Sequence, residues 1–67
     1  MIKIDNRKLK QIAFDKGLFP AEIITKTKIS SGEIYKILNG QRPQIFDRTA
    51  YALSKALKCK VNDFKII

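Results

Sequence analysis

The middle of the chain contains two short segments in which apolar or β-branched residues lie three and four residues apart, as along one face of a helix. These positions are Ile23, Ile24 and Thr27 in the first segment, and Ile34, Ile37 and Leu38 in the second. Ser30 is a good N-cap for the second segment, and Gly40 is a good residue to end it. The pattern predicts helices over residues 20–27 and 31–38, joined by a short polar turn in which Ile29 points inward.

Similar spacing elsewhere predicts three more helices around this pair. Asp5 or Asn6 caps the first helix and Gly17 ends it, whereas Asp47 caps the fourth. The predicted helices cover residues 6–16, 20–27, 31–38, 47–57 and 62–65. The side chains expected in the core outside the central pair are Leu9, Ile12, Ala13, Phe46, Ala50, Leu53, Ala56, Leu57, Cys59, Val61 and Phe64. The pattern as a whole predicts a compact all-α domain.

The two ends of the chain are also apolar. Residues 1–4 alternate between apolar and polar types, which predicts an extended arm whose Ile2 and Ile4 pack on the body of the domain. The chain ends in Ile66 and Ile67. We expect this end to pair with the arm, either within one subunit or between two.

The second helix of the central pair has a polar outer face. With its isoleucines turned to the core, Gly32, Lys36 and Asn39 lie near the opposite side, flanked by Glu33 and Tyr35. Glycine inside a helix costs up to about 1 kcal/mol relative to alanine. A glycine on an exposed helical face therefore favours a role in close approach to another surface.

The charge of the chain narrows the choice of partner. The sequence has 67 residues, with 14 Lys and Arg against 6 Asp and Glu, a net charge of +8 and a pI of about 9.9. This length predicts one domain over residues 1–67. The positive charge favours a polyanion, either nucleic acid or an anionic membrane. Because the cations are spread over every predicted helix, and not gathered beside one large apolar face, membrane association is disfavoured.

The sequence lacks the residues that catalysis or metal binding requires. Histidine is absent, Ser30 and Ser31 have no base to activate them, and the six carboxylates are dispersed. We therefore expect no enzyme activity, no cofactor, no metal and no small-molecule ligand. The lone Cys59 is expected to be a buried, inert thiol. A single cysteine, together with the lack of a signal peptide or a long apolar run, predicts a soluble cytoplasmic protein.

The ordered set of apolar positions resembles the helix-turn-helix of the Cro and cI repressor-like family, the XRE-type regulators with a lambda repressor-like fold. The matching apolar positions are Ile23, Ile29, Ile34 and Ile37, and the following Asn39-Gly40-Gln41-Arg42 looks like the family's N-G-x-R loop. The resemblance covers about residues 9–64. It implies a compact five-helix domain that binds double-stranded DNA and regulates transcription, most often as a repressor of phage or mobile-element type.

Three positions depart from the family pattern. Pro20 replaces a common Gln that touches phosphate and base, which removes a specific contact. Ile24 replaces the usual Ala, and the larger side chain widens the helix crossing. Lys28 replaces the glycine of the turn, so we expect a lysine with a left-handed backbone.

The resemblance also implies a binding mode, in which the helix over residues 31–39 enters the major groove. The residues expected to contact bases are Ser31, Gly32, Glu33, Tyr35 and Lys36. The residues expected to contact phosphates are Ala21 through its backbone N–H, Lys28, Asn39, Gln41 and Arg42. For Glu33 a role in capping or in the helix dipole is the alternative, and for Tyr35 the alternative is shielding of the helix flank. A homodimer on a pseudo-palindromic operator is expected, formed in solution or only on DNA.

A second function is also compatible with the sequence. Some helix-turn-helix domains bind a protein, as antitoxins and anti-repressors do. In that case Phe14, Tyr35 and the end formed by Ile66 and Ile67 would form the contact.

Overall fold

Residues 1–66, which a computed structural model describes, form four α-helices, one 3₁₀ helix and two short strands. In chain order the elements are β1 (Ile2–Lys3), α1 (Asn6–Asp15), α2 (Pro20–Thr27), α3 (Ser31–Leu38), β2 (Gln44–Ile45), α4 (Asp47–Leu57) and the 3₁₀ helix (Val61–Asp63). The bounds predicted for α2, α3 and α4 are confirmed, and α1 ends one residue earlier than expected.

Short side chains and glycines set the ends of α1 and α3. The carboxylate of Asp5 accepts a hydrogen bond from the backbone N–H of Lys8 at 3.0 Å, so Asp5 caps α1 and Asn6 is left for another role. The hydroxyl of Ser30 accepts from the N–H of Glu33 at 3.4 Å and caps α3. Gly40, with a φ of 85°, ends α3 in the left-handed conformation that glycine tolerates.

Two lysines adopt the same left-handed conformation without the freedom of glycine. Lys28 has a φ of 61° at the end of α2, as predicted, and Lys58 has a φ of 53° at the end of α4. Such a backbone costs an L-residue about 1–2 kcal/mol. In the turn, the hydroxyl of Thr27 accepts a hydrogen bond from the N–H of Ile29 at 3.2 Å, which helps to hold the chain between α2 and α3.

One apolar cluster joins all the helices. Its buried members are Ile4, Leu9, Ala13, Ile23, Ile34, Ile37, Ile45, Ala50, Leu53, Leu57 and Phe64. Ile24, Ile29 and Cys59 pack against it while remaining partly exposed. The radius of gyration is 10.2 Å, close to the value of about 11 Å expected for a compact chain of this length.

The N-terminal arm lies between two other segments of the same chain. On one side β1 pairs antiparallel with β2, with Ile2 opposite Ile45. On the other side the N–H of Ile66 donates to the carbonyl of Lys3 at 2.9 Å, and the N–H of Asp5 donates to the carbonyl of Phe64 at 2.8 Å. The expected pairing of the two chain ends therefore occurs within one subunit, while the part of that prediction on Ile67 falls outside the described residues.

Three expectations of the sequence are corrected. The fifth helix, expected over residues 62–65, is only a 3₁₀ turn at Val61–Asp63, because the next residues leave the helix to pair with the arm. Within residues 1–66 the fold is mostly helical, as predicted, with four α-helices and one small two-stranded sheet. Phe46 is exposed instead of buried, and it occupies the N-cap position that was assigned to Asp47.

Candidate nucleic-acid interface

Helix α3 has an inner apolar face and an outer face open to solvent. Ile34 is 1% exposed and Ile37 is 0% exposed, whereas Gly32 and Lys36 are both exposed. A Cβ atom added to Gly32 would meet nothing within 4 Å among the described residues. Packing within residues 1–66 therefore gives no reason for a glycine at this position, and its small size leaves the outer face of α3 open.

The other residues predicted to contact bases lie around this open face. Ser31 is exposed in the first turn of α3, and Tyr35 is 50% exposed on its flank. Glu33 is half-buried. Four of the five residues predicted to contact bases are therefore accessible to a large partner. Glu33 is the exception, because it is partly buried.

Glu33 and Arg42 form an ion pair that the sequence did not reveal. The Nε of Arg42 donates to both carboxylate oxygens of Glu33, at 3.1 Å to Oε2 and 3.3 Å to Oε1. The pair joins a residue predicted to contact a base with one predicted to contact a phosphate. Because both side chains are partly solvated, the pair is worth no more than about 1 kcal/mol, and a phosphate group can compete for the arginine.

The Glu33 carboxylate is consequently neither a free base acceptor nor a cap in this structure. It holds the side chain of Arg42 near the first turn of α3. To accept a hydrogen bond from a cytosine base, the Glu33 carboxylate would have to break its hydrogen bonds with Arg42.

The side chain of Asn6 clamps the C-terminal end of α3. Its Nδ2 donates to the carbonyl of Ile37 at 2.6 Å and to the carbonyl of Arg42 at 3.0 Å. These two bonds tie α1 both to the last turn of α3 and to the loop that follows. Sequence reasoning considered Asn6 only as an alternative cap, because nothing local in the sequence shows which distant carbonyls its amide reaches.

Replacing Asn6 with Ala should destabilise the domain by about 1–3 kcal/mol, because two partly buried carbonyls lose their donor. Urea or thermal unfolding followed by circular dichroism measures the change. Gln11→Ala is the matched control, since the amide of Gln11 bonds only locally to Asp15, at 2.7 Å and in an exposed position on the same helix. It should change stability by less than about 0.5 kcal/mol. Equal effects of the two substitutions would contradict the clamp.

The residues predicted to contact phosphates lie at the ends of α2 and α3 and in the loop after α3. Ala21 is exposed in the first turn of α2, and Lys28 is exposed at its end. Asn39 and Gln41 are exposed and Arg42 is half-buried. The N–H of Gln41 is already used, because it donates to the carbonyl of Lys36 at 2.9 Å, so only its side chain remains available to a phosphate.

A groove between α1 and α3 contains further cations next to these positions. Its volume is about 320 Å³, and it is lined by Asn6, Arg7, Lys10, Leu38, Asn39 and Gly40. Arg7 and Lys10 are both exposed. The sequence analysis did not assign them to the interface, although their spacing of three residues already placed them on one side of a helix.

The carboxylates form few direct contacts with the surface cations. Five of the six accept hydrogen bonds within the chain, namely Asp5, Asp15, Glu22, Glu33 and Asp63. Among the described residues the Arg42–Glu33 contact is the one ion pair. Most of the Lys and Arg side chains in residues 1–66 therefore have no carboxylate partner and remain available to a polyanionic partner.

The remaining chemistry of the chain is limited. Burial raises the pKa of the Cys59 thiol, nearby Asp63 adds to this, and Lys16 opposes it. A raised pKa lowers the thiolate fraction and hence the reactivity of the sulfur. Within residues 1–66, no three carboxylate or thiol side chains gather where a metal ion would bind. In the same residues, no helix combines the length and apolar character needed to cross a bilayer.

Comparison of the chain with protein-family models, with curated proteins and with solved structures finds no significant match. The geometry and charge of the chain itself are therefore the basis for assigning a function.

Proposed function

We propose that this chain is a sequence-specific double-stranded DNA-binding regulator of transcription, with α2 and α3 as a helix-turn-helix in a lambda repressor-like domain. The observation that carries the proposal is the outer face of α3, where Gly32 and Lys36 lie open above buried Ile34 and Ile37. This face belongs to a chain with a net charge of +8. A repressor of phage or mobile-element type is the regulator that this small basic domain fits best.

In the proposed complex α3 enters the major groove with its N-terminal end leading. Ser31 meets base edges, and Gly32 permits close approach or contact with a thymine methyl group. Lys36 donates to guanine O6 and N7. Tyr35 lies at the side of the groove, where its hydroxyl can reach a base or a phosphate.

Phosphate contacts position the domain on the duplex without selecting its sequence. The groups proposed for this are the backbone N–H at Ala21 and the side chains of Lys28, Asn39, Gln41 and Arg42. In this scheme Arg42 turns from Glu33 to a phosphate, or keeps its Nε on Glu33 and donates to the phosphate through its two terminal nitrogens. Glu33 then becomes either a positioning residue for Arg42 or, once released, an acceptor for cytosine N4.

One short recognition helix reads only a few base pairs, so we propose that two copies bind a pseudo-palindrome. Their half-sites would lie about 34 Å apart, or one turn of the double helix. Selection of bound sequences from a random duplex pool tests this, because a dimer yields an inverted repeat. A selected motif without symmetry would contradict the dimer while leaving DNA binding in place.

Lys36 and Arg42 are expected to differ in the way they contribute. Lys36→Ala should cost about 1–3 kcal/mol on the selected sequence and relax the preference at one base pair, because a base contact is lost. Arg42→Ala should weaken selected and random duplexes alike. Fluorescence anisotropy titrations measure how much each variant weakens binding to the selected duplex and to the random duplex. Lys60→Ala is a charge-matched control outside α3. Identical effects of Lys36→Ala and Arg42→Ala on the two duplexes would contradict these roles.

Protein binding, as in an antitoxin or anti-repressor, is the second candidate. The observation in its favour is the number of exposed aromatic rings, which are Phe14, Phe19, Tyr35, Phe46 and Tyr51. Binding to random duplex DNA at low salt separates the two candidates. Anionic vesicles in the same assay show whether any polyanionic surface is bound equally well. Failure to bind duplex DNA would leave protein binding as the better account.

A further inference from the structure

We propose that α1 extends the DNA interface, with Arg7 and Lys10 binding backbone phosphates that flank the bases read by α3. This inference rests on the proposed function, and adds to it a second row of phosphate contacts on a helix outside the helix-turn-helix. Its occupant is the sugar-phosphate backbone of the same duplex.

The first argument is that the groove is continuous with the proposed interface. Arg7 and Lys10 line the same groove as Asn39 and Gly40, the residues that end α3. Asn39 is itself proposed to contact a phosphate. A DNA strand that reaches Asn39 therefore also faces the two cations of α1.

The second argument is that the geometry of the groove is held by hydrogen bonds. The Asn6 amide joins the start of α1 to the carbonyls of Ile37 and Arg42, at 2.6 and 3.0 Å. Arg7 directly follows Asn6 in the chain, so its backbone keeps a constant position relative to the end of α3. Two cations on a prearranged support lose less conformational freedom when they bind than cations on a mobile segment would.

The third argument is that these cations do not help their own helix. The first turn of α1 contains no acidic residue, and it carries Arg7 and Lys8 where the helix dipole favours negative charge. Among the described residues neither Arg7 nor Lys10 takes part in an ion pair. The one carboxylate at this end of α1 is that of Asp5, which bonds the backbone N–H of Lys8, so a phosphate in the groove would be the partner that both cations lack among the described residues.

The groove favours a phosphate backbone over stacked bases. Its lining is two cations, two amides, Leu38 and Gly40, with no aromatic ring on which a base could stack. Phosphate contacts of this kind increase affinity equally for all sequences and steepen the dependence on salt.

The test compares the double variant Arg7→Gln/Lys10→Gln with the wild type in titrations of duplex DNA at several salt concentrations. Each lost phosphate contact should lower the slope of log K against log salt by about 0.9, so the variant should lose about 1.8. Affinity near 0.1 M salt should fall on the order of tenfold, by the same factor for selected and random duplexes.

Two controls separate this effect from loss of charge or loss of folding. Lys58→Gln/Lys60→Gln removes the same charge at the end of α4, and its slope should stay close to that of the wild type. Arg7→Lys/Lys10→Arg keeps both charges and should retain the wild-type slope. At one or two flanking positions, replacing a single phosphate with a methylphosphonate should weaken binding of the wild-type protein but not of Arg7→Gln/Lys10→Gln, which has already lost that contact.

The outcomes distinguish this inference from the function on which it rests. A steep wild-type slope that is equally affected by the α1 and the α4 variants would overturn the α1 contacts and leave DNA binding intact. So would methylphosphonate effects that are the same at every position for the wild type and for Arg7→Gln/Lys10→Gln. A flat wild-type slope would instead overturn the proposed function itself.

Discussion

Raising the salt concentration from about 50 to about 200 mM is expected to weaken duplex binding by about a thousandfold. Each neutralised phosphate releases counterions and contributes about −0.9 to the slope of log K against log salt. If about six phosphates are neutralised per bound protein, the slope is near −5. The two further contacts proposed for Arg7 and Lys10 would bring the slope to about −7.

Anisotropy titrations of one labelled duplex at five or six salt concentrations measure this slope directly. The chain carries a net charge of +8, and the described residues contain one ion pair, so little on the protein competes with the phosphates for its cations. Arg42→Ala provides the internal control, since loss of one phosphate contact should reduce the slope by about 0.9. A slope near zero would rule out binding through the phosphate backbone.

Ile37→Ala should destabilise the domain by about 2–5 kcal/mol, because Ile37 is 0% exposed and its truncation leaves a cavity between α3 and the rest of the core. A single core in a chain of this size supplies only about 3–5 kcal/mol. The variant is therefore expected to be largely unfolded at room temperature. Circular dichroism with urea titration measures the loss.

The preceding residue provides the matched comparison. Lys36→Ala removes an exposed side chain one position away on the same helix, so stability should change by less than about 0.5 kcal/mol. The two substitutions thus separate the inner face of α3 from its outer face. If Lys36→Ala destabilised the domain as strongly as Ile37→Ala, the orientation of α3 and the interface built on it would both be wrong.

Helix positions were predictable because their signals are local. The isoleucine spacing predicted α2 and α3 with the correct bounds. Ser30 caps the start of α3 and Gly40 follows its end, as expected from capping chemistry. The left-handed backbone of Lys28 was also predicted, from the glycine that the resembling family has at this position. Each of these features depends on residues within one or two helical turns.

The errors were an exposed aromatic residue and a helix whose length a distant segment decides. Phe46 is apolar but exposed, and its ring lies near the guanidinium of Arg48, with 5.9 Å between the ring centroid and the Cζ atom. The predicted fifth helix stops as a 3₁₀ turn, because residues 64–66 pair with the N-terminal arm. Helical spacing alone contains no information about such a partner.

Much of the candidate site was predictable for the same local reason. An exposed Gly32 and Lys36 follow from the helical repeat once the isoleucines are assigned to the core. The Glu33–Arg42 pair and the Asn6 clamp were not predictable, because their partners are separated by 9, 31 and 36 positions in the chain. The contribution of α1 to the groove beside Asn39 was missed for this reason as well.

The amino-acid sequence by itself determined where the helices lie, which face of α3 is polar, and that the surface is strongly positive. These properties follow from short-range capping, from the helical repeat and from a sum of charges, none of which requires a fold. Only the tertiary structure decided that Asn6 secures the end of α3, that Glu33 holds Arg42, and that Arg7 and Lys10 lie beside Asn39. These are contacts between elements far apart in the chain, and packing of the shared core is what brings such groups together.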